Sequence, residues 1–508
     1  MAKNIVVFSD GTGQDGGVRP EQRVSNIYKM YRASRVSVDS GIDPVAQVTM
    51  YDPGLGTDIG ATALSAPGRF FQKLLSSVEG RGITTNIAEC YTFIFDHYQP
   101  GDRIFLFGFS RGAYTVRSVA DLLRLCGVPT ATPDGAILRF RAQTRKVAEE
   151  ATLTVLEHGA GHPRGGELEK ERDELARRFR EKYGSGHPSG QEQRSNVAPY
   201  FVGVFDTVAA LGASGVRRAV IQSGLYTLTA LLAFISGLVP SVPLSILIQH
   251  LTGISFWLAF VGLETLAIIG GITWLHHKQR KEILKTILDF PKKGDNRSHY
   301  AKWEGKNFNR LLSRFVTYAR SANAIDETRA DFDRVPWGPT VRGVDETAGY
   351  PTFRQFFFAG NHSDIGGSYA EVESRLSDIA LVWMLEEAVC VPDGLKVSPV
   401  YVNAAKMFGT GEVGPPLYIH PADDGIQHCE ITATRDHLDA IKPRWLAWLL
   451  GNQNYAVKVR SLPKDATVHP SVNRRFELSA VQQANGFHPY RPDAMRDVDV
   501  FKRYFGPN

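Results

Sequence analysis

Cysteine is scarce in this chain. The four present (Cys90, Cys126, Cys390 and Cys429) are too far apart for a Cys-x-x-Cys pair or a run with metal-ligand spacing. That excludes a disulfide-dense secreted scaffold and a zinc ribbon, and suits buried thiols in a reducing compartment. Net charge is small as well, +5 over 508 residues. With no basic face interleaved with aromatics, nucleic acid is not an expected partner. No apolar signal core precedes Ile5-Val6-Val7-Phe8, so no standard secretory leader is expected. Apolar and charged fractions of 43% and 22% are those of a globular protein, and the length allows for about two to four domains.

Charge is missing most completely between Arg218 and Lys278, where Glu264 is the sole formally charged residue. Ala219 to Val239 and Ile254 to Leu275 are each long enough to span a bilayer. Pro240, Pro243 and the polar pair Gln249-His250 lie between them. Arg217 and Arg218 precede the first run, and Lys278, Arg280 and Lys281 follow the second. The intervening turn has no Lys or Arg, so both outer ends are expected on the cytoplasmic side. The alternatives are a hydrophobic cap lying on the interface and a buried helical pair; the prolines and Glu264 keep a monotopic arrangement open.

What is present is organised around Gly108-Phe109-Ser110-Arg111-Gly112. Ile104 to Phe107 has the character of a buried parallel strand. Ala113 to Leu125 follows with small and apolar residues at helical spacing. A strand turning sharply into a helix at Gly-x-Ser-x-Gly is the nucleophile elbow of α/β-hydrolases. Gly108 and Gly112 are needed there because a Cβ at either position would strike the strand or the helix. A serine nucleophile requires a base, a group that orients the base, and donors for the oxyanion. The order Ser, acid, His is available: Ser110, then Asp206 after the Val197–Phe205 strand, then His362 after the Thr352–Ala359 strand. Asp364 competes as the acid, but its nearness to His362 in sequence suits loop capping better. The oxyanion donors are expected to be the N–H of Arg111 and that of Gly11 or Thr12, in the loop after the first strand. Asp10 is expected to brace that loop rather than to bind a metal, since no second acidic ligand stands nearby. Phe8 occupies the position where a phosphatase of the haloacid dehalogenase type needs its first aspartate, which excludes that reading.

Alternation of strands (Ile5–Phe8, Gln47–Tyr51 and those above) with helices (Thr84–Tyr98, Leu376–Val389) predicts an α/β fold: a mostly parallel sheet flanked by helices, with an inserted hydrophobic helical hairpin. Residues 1–216 and 282–508 are expected to form two parts of one core. A charged surface insertion covers about 139–196, including a solvated helix over Glu167–Tyr183, and the hairpin covers 217–281. Asn307–Ile325 and Trp445–Leu450 also read as helical.

Several further segments recur in order: Phe8-Ser-Asp10-Gly-Thr12-Gly, Tyr51-Asp-Pro-Gly-Leu-Gly-Thr57, Gly108 to Tyr114, Val204-Phe-Asp-Thr-Val208, Ala319-Arg320 with Ile325-Asp326-Glu327, and Phe358 to Gly367. With His469-Pro-Ser-Val472 and Tyr490-Arg-Pro492, this set resembles an uncharacterised α/β-hydrolase family whose better-known members are type VI secretion lipase effectors with phospholipase A activity. The resemblance covers most of the chain, though not obviously the charged insertion or the hairpin. It implies Ser110 as nucleophile, Asp206 as acid and His362 as base; no cofactor and no metal-ligand set is read from the sequence, and a calcium requirement is left open. A membrane-associated hydrolase of lipid acyl esters is therefore expected. Its partners would be the bilayer and its lipid, and its place a bacterial inner membrane with the catalytic part cytoplasmic; delivery into another cell is the variant. Fold does not settle substrate. An esterase for another ester and a non-catalytic membrane scaffold remain the alternatives.

Overall fold

The computed structural model describes residues 2–11, 14, 16, 23–54, 81–162, 165–191, 194–208, 215–301, 312–313, 315–337, 344–345, 349–409, 414–431 and 457–506. Its centre is a six-stranded sheet of β1 (Asn4–Ser9), β2 (Gln47–Asp52), β3 (Arg103–Phe109), β4 (Phe201–Phe205), β5 (Tyr318–Ala324) and β6 (Phe353–Phe358). The spatial order is β6-β5-β4-β3-β1-β2, and every pairing is parallel. The α/β fold expected from the alternation is the fold observed.

Side chains alternate between the faces of a strand, so a sheet covered on both sides needs apolar residues at both sets of positions. Ile5, Val7, Ile104, Leu106, Val202 and Val204 face one core, shared with α2 (Arg81–His97), α3 (Arg111–Cys126) and α4 (Glu167–Tyr183). Val6, Phe8, Phe105, Phe107, Phe201 and Phe205 face the other, shared with α1 (Asn26–Ser34) and α7 (Arg375–Cys390). A third cluster at the C-terminus joins Ile325 and Phe357 to Val472, Phe476, Tyr490 and Phe501. From β1 the chain passes to β2 on one side, and from β3 it builds outward through β4, β5 and β6 on the other. The loops after β1 and β3 therefore leave the carboxyl ends of adjacent strands where the chain direction switches. Gly11 lies in the first of these loops and Ser110 in the second.

Three expectations are corrected. The Glu167–Tyr183 helix is solvated on one face only, since Ala176, Phe179 and Tyr183 are buried in the first core. The helix expected over Asn307–Ile325 is a strand from Tyr318 onward, where it is described. Its three alanines and Arg320 favour a helix, but every residue of β5 is buried between β4 and β6, and tertiary packing overrides propensity. The apolar hairpin also turns later than expected. α5 runs unbroken over Gly215–Thr252 through Pro240 and Pro243, and α6 (Phe256–Ile283) follows a turn at Gly253. Gln249 and His250 therefore end a helix rather than form a linker. Proline is tolerated in apolar helices where neighbouring side chains re-satisfy the freed backbone. Glu264 lies buried at this point, accepting from Ser241 Oγ at 2.5 Å, and a Cβ on Gly237 would come within 2.8 Å of its Oε2. Leu232, Ile235, Leu247, Trp257, Leu266 and Trp274 are exposed. Among the described residues the pair is largely unburied, which the buried-pair alternative does not account for. The Trp445–Leu450 helix lies outside the described residues.

Candidate active site

Ser110 sits between β3 and α3 with φ 57° and ψ −121°, a backbone conformation that costs roughly 1–3 kcal/mol and persists where surrounding contacts enforce it. Those contacts are visible. The Ser110 N–H donates to Phe205 O at 3.1 Å, and its carbonyl accepts from Tyr114 N at 3.3 Å. Both flanking glycines are sterically required. A Cβ on Gly108 would lie 2.5 Å from Gly112 O, and one on Gly112 would lie 2.1 Å from Ser9 O.

Asp206 follows β4 and is also held at positive φ (37°), its N–H donating to Ala322 O at 2.7 Å. His362 opens the one-turn helix His362–Gly366 after β6. The two meet: His362 Nδ1 lies 2.6 Å from Asp206 Oδ2, with both side chains buried. The carboxylate fixes the proton on Nδ1 and leaves Nε2 as the lone-pair nitrogen, buried and with no hydrogen-bond partner among the described residues. The ring stacks on Phe109 (centroids 4.6 Å apart) and meets Phe332 edge-on at 5.1 Å; its backbone N–H donates to Glu327 Oε2 at 3.2 Å. Histidine and the serine-bearing turn are thus coupled through Phe109, the residue before Ser110.

Arg460 was not legible in the sequence. It donates to both oxygens of Asp206, Nη1 to Oδ1 at 2.7 Å and Nη2 to Oδ2 at 3.0 Å, and also to Phe332 O at 2.6 Å. Ala324 N–H adds a further bond to Oδ1 at 3.0 Å. Burial alone would raise the Asp206 carboxyl, but the Arg460 charge and the His362 hydrogen bond outweigh it and hold the group well below the usual carboxylate range. Asp364 instead forms a capping box with Asn361 and accepts from His428 Nδ1 at 2.7 Å.

In the loop after β1, Asp10 Oδ1 accepts from Gly11 N at 2.7 Å, while Oδ2 accepts from Ser25 Oγ at 2.5 Å and Tyr51 OH at 2.7 Å. The Gly11 donor is therefore engaged by Asp10, although a Cβ there would stand 3.4 Å from that of Ser110. Arg111 opens α3, and Thr12 lies outside the described residues. Burial pushes Asp10 up to about 6, with the three hydrogen bonds pulling the other way. For an acid whose folded value is raised, the native state binds the extra proton, so stability falls as pH rises from about 4 to about 6. Asp10→Asn is expected to remove up to about 3 kcal/mol of that decline, measured by urea unfolding across that pH range. An unchanged slope would show that Asp10 is not the group responsible.

The sequence matches the family described as "T6SS, Phospholipase effector Tle1-like, catalytic domain" over residues 3–234 and 271–387. The charged insertion, expected outside the resemblance, falls within the matched residues; the outer part of α5–α6 and everything after α7 do not. The chain is 21% identical over 481 residues to "Uncharacterized protein YEL023C" of Saccharomyces cerevisiae, covering 87% of this chain and 64% of that protein. It thus spans just under two thirds of that relative's length. Among solved structures, an uncharacterized protein from Pseudomonas aeruginosa aligns at 17% identity and TM-score 0.33, over 78% of this chain and 47% of that one. The Tle1 effector, in a structure with the VgrG spike of the type 6 secretion system, aligns at 17% identity and TM-score 0.24, over 74% and 53%.

Proposed function

The chain belongs to the Tle1-like phospholipase effector catalytic-domain family, and from that membership we propose that it is a membrane-associated serine hydrolase of phospholipid acyl esters. The observation that carries the reading is the buried Asp206–His362 pair, whose Nε2, unpartnered among the described residues, is borne by a ring stacked against the strained Ser110 turn. In this mechanism Ser110 Oγ attacks the ester carbonyl as its proton passes to His362 Nε2. The oxyanion is met by N–H donors of Arg111 and Gly11, the latter once released from Asp10. Collapse expels the lysolipid alcohol, which takes the proton from His362. Water then enters by the same base, releasing the fatty acid and restoring Ser110. Asp206 orients the imidazole and stabilises its cation. Arg460 holds Asp206 in place and partly neutralises it.

The hairpin supports a lipid substrate. Trp257 and Trp274 are exposed and lie about 26 Å apart along α6 at ~1.5 Å per residue, close to a hydrocarbon thickness. Lys278 Nζ sits 5.0 Å over the Trp274 ring, and Tyr226 OH lies 3.3 Å from His276 Nδ1 and from Gln279 Oε1. Aromatic and basic residues gathered at one end of an apolar helix pair suit a membrane interface. On this reading α5–α6 tethers the enzyme at its substrate, both ends cytoplasmic, and secretion of the family's effectors supplies a route to another cell's lipid.

The test is fatty-acid release from phosphatidylethanolamine–phosphatidylglycerol vesicles, beside hydrolysis of a short-chain soluble ester. Vesicle hydrolysis by wild type and its absence in Ser110→Ala are expected. Turnover of the soluble ester alone would contradict the lipid substrate. Retention of the chain in membranes washed with alkaline carbonate tests the tether; quantitative extraction would contradict spanning.

A further inference from the structure

We propose that His158, Glu171 and His299 form a zinc-class metal site that ties the charged insertion to the β-hairpin at the foot of α6. His158 lies in the turn Leu156–Gly159, Glu171 in α4, and His299 in the second strand of the antiparallel hairpin Leu284–Leu288/Asn296–Tyr300, which begins where α6 ends. The three meet only because the apolar hairpin returns the chain to its starting point. No spacing rule could connect His158 to His299 across it.

The donor atoms lie within 4.8 Å of one another. His158 Nε2 is 2.8 Å from Glu171 Oε2, and His299 Nδ1 is 4.0 Å from the same oxygen. Zinc bonds of ~2.0–2.2 Å place tetrahedral ligand atoms about 3.3 Å apart, so small side-chain movements suffice. The most informative atom is His299 Nδ1, which is buried with no hydrogen-bond partner among the described residues. His299 Nε2 lies 2.5 Å from His158 O, an arrangement that places the proton on Nε2 and leaves a lone pair on Nδ1. A ligating histidine commonly donates its second N–H to a backbone carbonyl in this way. The His158–Glu171 hydrogen bond explains two of the three side chains; it leaves that nitrogen unexplained.

The surroundings are consistent. His158 Nε2 lies in hydrogen-bond contact with Glu171 Oε2, an arrangement that places the imidazole proton on Nε2. On binding, its Nε2 proton moves to Nδ1 and the metal takes the vacated lone pair. Arg297 Nη1 lies 3.5 Å from Glu171 Oε1, steadying the second carboxylate oxygen. Lys285, which would repel a cation, is paired with Glu157 at 2.8 Å. Two imidazoles and one carboxylate favour zinc-like ions over magnesium and calcium, which take oxygen ligands. α4 is pinned to α3 by Arg172 Nη1 on Asp121 Oδ2 at 3.3 Å, so the metal would fasten the base of the apolar helices to the helix that follows Ser110.

The experiment is zinc titration of the chelator-stripped full chain in detergent, with bound metal measured directly and amide exchange followed at Asn296–Tyr300. One zinc per chain, undisturbed by excess magnesium, and slowed exchange in that strand are expected. His299→Ala and Glu171→Gln should each weaken binding by at least about tenfold, while His276→Ala leaves it unchanged. His299 lies at the edge of the cluster, so its variant keeps the test informative if Glu171→Gln fails to fold. No zinc bound by the folded chain, or binding unaltered in His299→Ala, overturns the site.

Discussion

Ser110→Ala is expected to lower kcat for acyl-ester hydrolysis by about 10⁴- to 10⁶-fold, with His362→Ala falling in the same range. The size follows from what each group does. On the proposed mechanism, no covalent intermediate forms without Ser110, and the serine proton has no acceptor at the buried Nε2 position without His362. The two act as a unit, so the double variant should be little slower than either single one. The serine variant should also fold normally: removing one hydroxyl leaves the steric demands of Gly108 and Gly112 untouched. Initial rates of fatty-acid release, with near-ultraviolet circular dichroism as the folding control, measure both. A loss of tenfold or less in Ser110→Ala would mean that the nucleophile lies elsewhere.

Asp206→Asn should injure activity and stability together. Replacing the orienting carboxylate of a serine triad costs about 10⁴-fold in kcat, because the imidazole loses both its correct tautomer and its counter-charge. The second effect is particular to this site. Arg460 spends two donors on Asp206, and Asn leaves the buried guanidinium without its anion, at a cost of about 3–5 kcal/mol. A second change, Arg460→Met, should recover much of the stability and none of the rate. The sign with pH follows. The folded value of Asp206 is depressed, so its contribution is present at neutral pH and lost as acid protonates it; the Asn variant should lack that acid-side loss. Urea midpoints across pH and initial rates separate the two effects. Unchanged stability in Asp206→Asn would show that the Arg460 pairing carries little.

The sequence made some of this legible and hid the rest for physical reasons. The elbow could be read because its glycines are forced by contacts within a few residues: Gly108 against Gly112 and Ala113. The doubly covered strands could be read because Ile5 to Phe8 and Ile104 to Phe107 are apolar at every position. β5 could not, since Tyr-Ala-Arg-Ser-Ala-Asn-Ala becomes a strand through its neighbours rather than through its own propensity. The turn of the apolar hairpin was misplaced because proline ordinarily ends a helix, whereas Pro240 and Pro243 lie inside one. Arg460 left no local signal at all, since it reaches Asp206 from a Lys- and Pro-bearing segment far along the chain. The strand ends carrying Ser110, Asp206 and His362 were readable, then, but not the cation paired with Asp206, because that ion pair is long-range.

The most direct measurement is covalent labelling of the purified full chain with a fluorophosphonate, followed by peptide mapping. A single adduct on the peptide carrying Ser110, formed far more slowly in His362→Ala, is the expected result. Labelling of another residue, or none in a folded chain, would contradict the account of Ser110 as an activated nucleophile.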